Sequence, residues 1–381
     1  MSPRLLKVRG QLMLGAPCIC PQVVGFRSLA FRSGELKTKR HILKFAGLVI
    51  SVSLLMLLVH LARQADPKAF ANLIKQPKQW WCLAIGVGLT LAAVLITFVR
   101  WYFLVRALRL PFTLRDAFRL GFFGYCGNFV SLGSVGGDLF KALHIAHDQP
   151  GRRAEAVATV FVDRVIGLYA LFVVSTIAIV ATGLYTTRDA NIALICWGAF
   201  IATGVGAAGI AALLIPGLTS IRLSQRLTAI PKIGPIIGPI IGKLIDAVRI
   251  YRSRLDVIAL AGVMSLVVHS TLAVAFYFIA RGLPGAAPEL AAHFVIVPLG
   301  MLTGALPLPG AGLGALETAV DYLYVHLPLV AVNVPRGFGL VVCLVYRLIT
   351  IGIAAIGAWF YIGVKREVIH EIEDAEKAAS Q

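Results

Sequence analysis

Long apolar runs constrain this chain more than any other feature. Six segments with few charges reach the roughly 20 residues that a helix needs to cross a bilayer; they lie at about 43–62, 82–108, 155–183, 191–215, 256–281 and 337–363. Within a bilayer, backbone N–H and C=O groups must be satisfied inside the protein, which favours helices for spanning segments of this length. Of the 381 residues, 58% are hydrophobic and 14% are charged, too apolar a balance for a soluble domain. The sequence therefore predicts an all-α polytopic membrane protein with about six transmembrane helices.

Two further apolar stretches, at about 113–146 and 289–327, are interrupted by Gly-rich segments that carry charge. In lipid, irregular backbone and ionised side chains are tolerated only where protein or a water-filled cavity surrounds them. A pair of such interruptions, one in each half of a chain, is typical of a transporter binding site. We expect each stretch to form a re-entrant helix pair that enters and leaves the membrane on the same side.

The distribution of Lys and Arg predicts the orientation. The chain carries 36 Lys and Arg against 18 Asp and Glu, a formal net charge of +18. The segments 1–44, 100–153 and 217–255 are rich in these basic residues, whereas 282–335 has none. Because cytoplasmic loops collect Lys and Arg, both termini are expected in the cytoplasm. The basic residues flank apolar spans and are not interleaved with aromatic residues, so no nucleic-acid partner is expected.

This orientation predicts an inverted-topology repeat. The first re-entrant pair would open toward the cytoplasm and the second toward the opposite face, each between two crossings. Three regions follow along the chain: a disordered basic cytoplasmic extension over 1–42, a transmembrane domain over 43–363 and a charged cytoplasmic tail over 364–381. The six cysteines do not have the spacing of a metal site, and we expect neither a metal nor a cofactor.

Two arginines are expected near the middle of the membrane. Arg164 lies 11 residues beyond Arg153, and Arg347 lies 11 residues beyond Arg336. At 1.5 Å per helical residue, each arginine is about 16 Å deep, approached from opposite faces. An ionised group at this depth costs roughly 2.5–3.5 kcal/mol, so each needs a partner or a purpose.

The arginines have a functional interpretation and a structural one. A guanidinium group matches the geometry of phosphate and carboxylate, so Arg164 and Arg347, with Lys141, would attract an anionic headgroup. Alternatively, acidic side chains neutralise them within the protein. The partners in that case would be Asp138 or Asp163 for Arg164, and Glu317 or Asp321 for Arg347. The two interpretations are compatible if the ion pairs open to admit a charged substrate.

The glycine-rich turns complete the candidate site. Gly136 and Gly137 permit close backbone approach ahead of a half-helix expected from Leu139 to Ala146, whose N-terminus would favour an anion. A second Gly-rich turn precedes the second half-helix in the same way. The full set of candidate substrate-binding residues is Asn128, Gly136, Gly137, Asp138, Lys141, Asp163, Arg164, Pro309, Gly310, Gly314, Glu317 and Arg347.

These motifs resemble the transmembrane region of the lysylphosphatidylglycerol synthase family, a flippase-like integral membrane domain. The resemblance covers roughly 45–363. It is based on four motifs, which are Asn128, Gly136-Gly137-Asp138 with Lys141, Asp163-Arg164-Val165-Ile166-Gly167-Leu168, and Pro309-Gly310-Ala311-Gly312-Leu313-Gly314 with Glu317. Lys141 stands where the family pattern has Arg, and Asp163 where it has Glu. Both changes keep the charge, but Lys lacks the bidentate fork that recognises phosphate.

The resemblance implies a multi-pass protein of the bacterial cytoplasmic membrane. In the best-known members, this domain is fused to a soluble aminoacyltransferase that lysinylates phosphatidylglycerol, and the membrane part is thought to flip the product. No such catalytic domain follows before Gln381, so lysyl transfer is not expected of this chain.

We therefore expect a non-enzymatic translocator of an anionic or polyprenyl-linked lipid. One alternative is a membrane-embedded enzyme that modifies a lipid, with Asp138, Asp163 or Glu317 as acid or base. Another is a non-catalytic scaffold that recruits a separate lipid-modifying transferase.

Overall fold

A computed structural model describes residues 75–130, 134–149, 151–214, 251–304, 314–330 and 332–357, with six isolated positions between 56 and 71. All of them belong to one compact unit, Lys44–Gln381. This described part is helical and contains no strands. Its helices are α1 (Trp80–Ala107), α2 (Leu114–Val130), α3 (Ser134–Asp148), α4 (Arg153–Ala181), α5 (Ala190–Leu214), α6 (Leu255–Gly282), α7 (Leu290–Gly304), α8 (Ala315–His326) and α9 (Phe338–Gly357).

Five helices in the described ranges, α1, α4, α5, α6 and α9, are long and apolar enough to cross a membrane. They match the predicted crossings from 82–108 onward. Helix α4, for example, has 29 residues and extends about 43 Å, more than the roughly 30 Å hydrocarbon thickness of a bilayer. The predicted first crossing at 43–62, the extension over 1–42 and the tail over 364–381 lie outside the continuous described ranges.

The two interrupted stretches form pairs of short helices. Helices α2 and α3 have 17 and 15 residues, and α7 and α8 have 15 and 12. At 1.5 Å per residue they extend about 18 to 26 Å, less than the roughly 30 Å hydrocarbon thickness of a bilayer. The two members of each pair pack extensively against each other. Pro298 lies inside α7, where it removes one backbone hydrogen bond.

Helices α1 and α6 make the most extensive packing contact among the described elements. One apolar core cluster lies around Trp101, Leu104 and Ile145 and joins α1 to the α2–α3 pair and α4. A second cluster, around Phe276 and Tyr324, joins α6 to α7, α8 and α9. Helices α4 and α6 contribute buried residues to both clusters and so connect them.

Outward-facing side chains are apolar, as lipid contact requires. Helix α5 packs mainly on α4, where Thr176 and Thr203 share a hydrogen bond of 2.8 Å. Its other face exposes large apolar side chains such as Leu194, Trp197 and Ile201. A soluble protein rarely exposes a continuous apolar surface of this kind, whereas a bilayer solvates it.

Candidate functional site

Arg164 and Asp138 form an ion pair between α4 and α3. The Arg164 Nε atom donates to Asp138 Oδ2 at 2.5 Å, and Arg164 Nη2 contacts the same oxygen. Of the two partners predicted for Arg164, Asp138 is the one that it contacts. The side chains are 36% and 22% exposed, so the pair is reachable from outside the protein core.

Lys141 shares the Asp138 carboxylate but lies farther from it. Its Nζ atom is 3.9 Å from Asp138 Oδ1, at the limit of an ion pair. The same ammonium lies 5.4 Å from the centre of the Trp101 ring and 5.9 Å from that of Phe98, within cation–π range of both. Gly124 makes room for this side chain, because a Cβ at Gly124 would lie 2.6 Å from Lys141 Cε.

Asn128 and the glycines hold α2 and α3 together. The Gly137 N–H group donates to Asn128 Oδ1 at 3.1 Å. A Cβ at Gly137 would lie 2.0 Å from the Gly124 carbonyl oxygen, so the two backbones approach more closely than any other residue would allow. Asn128 thus bridges the helix pair.

The position of the first glycines corrects the sequence-based expectation. Gly136 and Gly137 were expected to precede a half-helix beginning at Leu139, but α3 begins at Ser134 and includes both. Gly137 lies against Gly124 of α2, where a side chain would not fit, so its role is close helix packing. The N-terminus of α3 lies earlier than predicted.

Arg347 and Glu317 form the corresponding pair between α9 and α8. Arg347 Nε donates to Glu317 Oε1 at 2.8 Å. Glu317 is fully buried, and its second oxygen, Oε2, accepts from the Gly314 N–H group at 2.7 Å. Gly314 has a φ of +97°, a conformation that favours glycine. The alternative partner, Asp321, instead accepts from the Gly337 and Gly339 N–H groups at the start of α9.

Asp163 contacts Arg100, which the sequence analysis did not select. Arg100 Nε and Nη2 donate to the two Asp163 oxygens at 2.8 and 3.0 Å, and Arg100 Nη1 donates to Ser265 Oγ at 2.7 Å. This bidentate pair connects α1, α4 and α6, and Arg100 is only 6% exposed. Arg100 lies within a predicted crossing, so the rule applied to Arg164, that an ionised group at depth needs a partner, could have found it.

Tyr125 links the first helix pair to the second half. Its hydroxyl bonds with the Thr350 side chain, one turn beyond Arg347, and lies within electrostatic reach of that arginine. Nearby, Cys126 Sγ lies 3.0 Å from the Ala354 carbonyl oxygen. Helix α2 thus packs against α9, although no motif in the sequence indicated this contact.

The remaining candidates have simpler positions. Pro309 and Gly310 lie outside the described residues. His269 Nε2 forms a hydrogen bond of 3.0 Å with the Gly167 carbonyl oxygen, which joins α6 to α4. Within the described ranges, no group of three His, Cys, Asp or Glu side chains is arranged to hold a metal ion.

The arrangement can attract an anion. Basic side chains of α1, α4 and α9 each contact a carboxylate of a neighbouring helix. Lys141 of α3 lies 3.9 Å from Asp138 in its own helix. Lys141 is the most weakly engaged of these cations. An incoming phosphate could contact its ammonium without breaking the tighter Arg164–Asp138 contact.

Comparison with known protein families identifies the chain's relatives. The sequence model of the lysylphosphatidylglycerol synthase transmembrane region matches residues 44–357. No curated protein and no solved structure gave a significant match. The matched range contains the described helices and the ion pairs, and it covers more than half of the chain. The chain is an integral, multi-pass membrane protein and belongs to the family of lysylphosphatidylglycerol synthase transmembrane regions.

Proposed function

We propose that this protein translocates a lipid with an anionic headgroup, or a polyprenyl-linked lipid, across the bacterial cytoplasmic membrane. The observation that carries the proposal is the Lys141 ammonium, 3.9 Å from a carboxylate that Arg164 already engages. A phosphate can replace this weak contact with a charge-assisted hydrogen bond at about 2.8 Å. The aromatic rings of Trp101 and Phe98 stabilise the cation while its partner changes.

In the proposed topology, the two short helix pairs re-enter the membrane from opposite faces. Their lengths, which are less than the roughly 30 Å hydrocarbon thickness, support re-entry. The packing also supports an inverted repeat. In each half, the two short helices pack on each other: α2 on α3, and α7 on α8. The long helix that follows each pair contacts the first short helix of the other pair: α4 contacts α7, and α9 contacts α2. The ion pairs correspond as well, with Arg164–Asp138 between α4 and α3, and Arg347–Glu317 between α9 and α8. Both termini would lie in the cytoplasm.

A headgroup would enter beside Asn128 and Lys141 and pass the α3–α4 ion pair toward Arg347. Each arginine would exchange its carboxylate for the lipid phosphate and then recover it. Such an exchange keeps each guanidinium paired at every step. For the largely buried Arg347, this avoids the several-kcal/mol cost of a bare buried charge.

A proteoliposome assay tests the translocation. Purified protein is reconstituted with fluorescent phosphatidylglycerol, and an added reductant bleaches the outer leaflet. Lys141→Gln is expected to slow translocation about tenfold, equivalent to 1.4 kcal/mol in the barrier. The matched control is Arg188→Gln, which removes a cation from an exposed loop and is expected to leave the rate unchanged. Equal rates for the wild type and Lys141→Gln would contradict the proposal.

The same vesicles separate the alternatives. A lipid-modifying enzyme would produce a lipid of new mass, whereas a translocator changes only the leaflet. A scaffold would show neither effect, and its charged residues would affect assembly alone.

Cysteine accessibility tests the proposed topology. His147 and His326 are exposed near the ends of α3 and α8. Single cysteines at these positions, in a background without other cysteines, should react with an impermeant maleimide from opposite sides. Labelling of both from one side would exclude opposing helix pairs.

A further inference from the structure

A pocket separate from the ion pairs lies beside the start of α1, at the connection between α6 and α7. Its volume is about 410 Å³, within the range of small-ligand sites. Its lining includes Gln79, Tyr277, Arg281 and Glu289. The Gln79 N–H group donates to the Gly282 carbonyl oxygen at 3.0 Å, which joins the residue before α1 to the end of α6.

Opposite charges line this pocket. Arg281 Nη1 donates to the Tyr277 hydroxyl at 2.9 Å, and its guanidinium lies 5.7 Å from the centre of that ring. In the described part of the chain, neither the Arg281 guanidinium nor the Glu289 carboxylate forms an ion pair. Both side chains are exposed, so a ligand can reach them. The pocket therefore offers one cation and one anion to the same ligand.

Aromatic residues indicate the depth of the pocket in the membrane. Trp80 and Trp81, next to Gln79, are 71% and 62% exposed. Trp81 packs edge-to-face on Phe278 with ring centres 6.4 Å apart. Trp and Tyr are enriched where the hydrocarbon meets the headgroups. These aromatic residues favour a position for the pocket at the level of the lipid headgroups.

We infer that this pocket binds a lipid headgroup that carries both a phosphate and a primary ammonium. The Arg281 guanidinium suits the phosphate, and the Glu289 carboxylate accepts hydrogen bonds from the ammonium. The Gln79 amide and the Tyr277 hydroxyl offer further polar contacts. The inference rests on the proposed function in one respect: the pocket would hold a lipid at the face opposite the cytoplasm, before or after translocation.

Lipid retention measured by native mass spectrometry tests the inference. The full-length protein is released from nanodiscs that contain equal amounts of phosphatidylethanolamine, phosphatidylglycerol and phosphatidylcholine. We expect the wild type to retain phosphatidylethanolamine at least fivefold over the other two. Its ammonium can donate charge-assisted hydrogen bonds to Glu289, whereas phosphatidylglycerol offers only neutral hydroxyl donors and the phosphatidylcholine ammonium has no N–H group.

The variants assign the two contacts. Glu289→Gln is expected to abolish the preference for phosphatidylethanolamine over phosphatidylglycerol, and Glu289→Asp to preserve it. Arg281→Gln should reduce retention of phosphatidylethanolamine at least fivefold, whereas the matched control Arg188→Gln should not. Unchanged preference in both Glu289→Gln and Arg281→Gln would overturn the inference.

Two further results separate the sources of the ligand and the two proposals. Micromolar binding of soluble phosphoethanolamine to the detergent-purified protein would overturn the assignment to a lipid, and binding only at millimolar concentrations would support it. Selective retention without translocation would refute the proposed function alone. Translocation without selective retention would refute the inference alone.

Discussion

Gly137→Ala should separate α2 from α3 and destabilise the candidate site. The new Cβ would lie 2.0 Å from the Gly124 carbonyl oxygen and 2.3 Å from Asn128 Oδ1. Ordinary contact requires about 3.5 Å, so the two helices must move apart by roughly 1.5 Å. Neither neighbour can yield easily, since one is backbone and the other is bonded to the Gly137 N–H group.

The expected cost of Gly137→Ala combines two effects. Forcing a methyl group into a closed contact costs about 1–3 kcal/mol. Loss of the hydrogen bond from Gly137 to Asn128 adds about 1 kcal/mol. We therefore expect the variant to be about 2–4 kcal/mol less stable than the wild type.

Thermal unfolding in detergent, followed by tryptophan fluorescence, measures this effect. The matched control is Gly262→Ala in α6, where a Cβ would meet nothing within 4 Å. The control should melt at or slightly above the wild-type temperature, and Gly137→Ala several degrees below it. Equal melting temperatures for the two variants would show that α2 and α3 are not in close contact at Gly137. In vesicles, Gly137→Ala should also slow translocation, because α3 carries Lys141.

Three other substitutions address ion pairs and backbone strain. Glu317→Gln should destabilise the protein by about 3–5 kcal/mol, since it leaves the Arg347 charge buried without its counterion. In a double-mutant cycle, adding Arg347→Gln should recover most of this loss of stability. Arg100→Lys keeps the charge but loses the fork that contacts Asp163, so thermal unfolding should show a loss of about 1.5–3 kcal/mol. Arg109 has a φ of +54°, and Arg109→Gly should therefore raise stability by about 1 kcal/mol, whereas Arg109→Ala should give no gain.

The sequence located buried charged residues only where their depth in the membrane could be estimated from the number of residues along one helix. Arg164 and Arg347 were identified because each lies 11 residues from a basic residue near a membrane face. For each arginine the sequence left two possible acidic partners, because more than one carboxylate lies at a suitable position. Asp163 and Arg164 are neighbours in α4, and successive residues of a helix point about 100° apart. The partner of Arg164 therefore depends on which neighbouring helix each of these two side chains faces. Asp163 therefore faces α1 while Arg164 faces α3.

Contacts between distant helices could not be read from the chain. Arg100 reaches Asp163 and Ser265, which are 63 and 165 residues away. Tyr125 of α2 reaches Thr350 of α9. Apolar periodicity gives no information about such contacts, because a helix surrounded by lipid and protein is apolar on all sides.

The sequence by itself determined the membrane class, the crossings from 82–108 onward and the two pairs of short helices. It could do so because the length of an apolar run and the presence of helix-breaking residues are local properties of one chain segment, and they decide whether that segment can cross a bilayer. Only the tertiary structure decided which charges meet, how closely α2 and α3 approach and where Arg281 and Glu289 of the α6–α7 pocket lie. These features depend on the rotation and spacing of whole helices, which side-chain packing sets after the helices have formed.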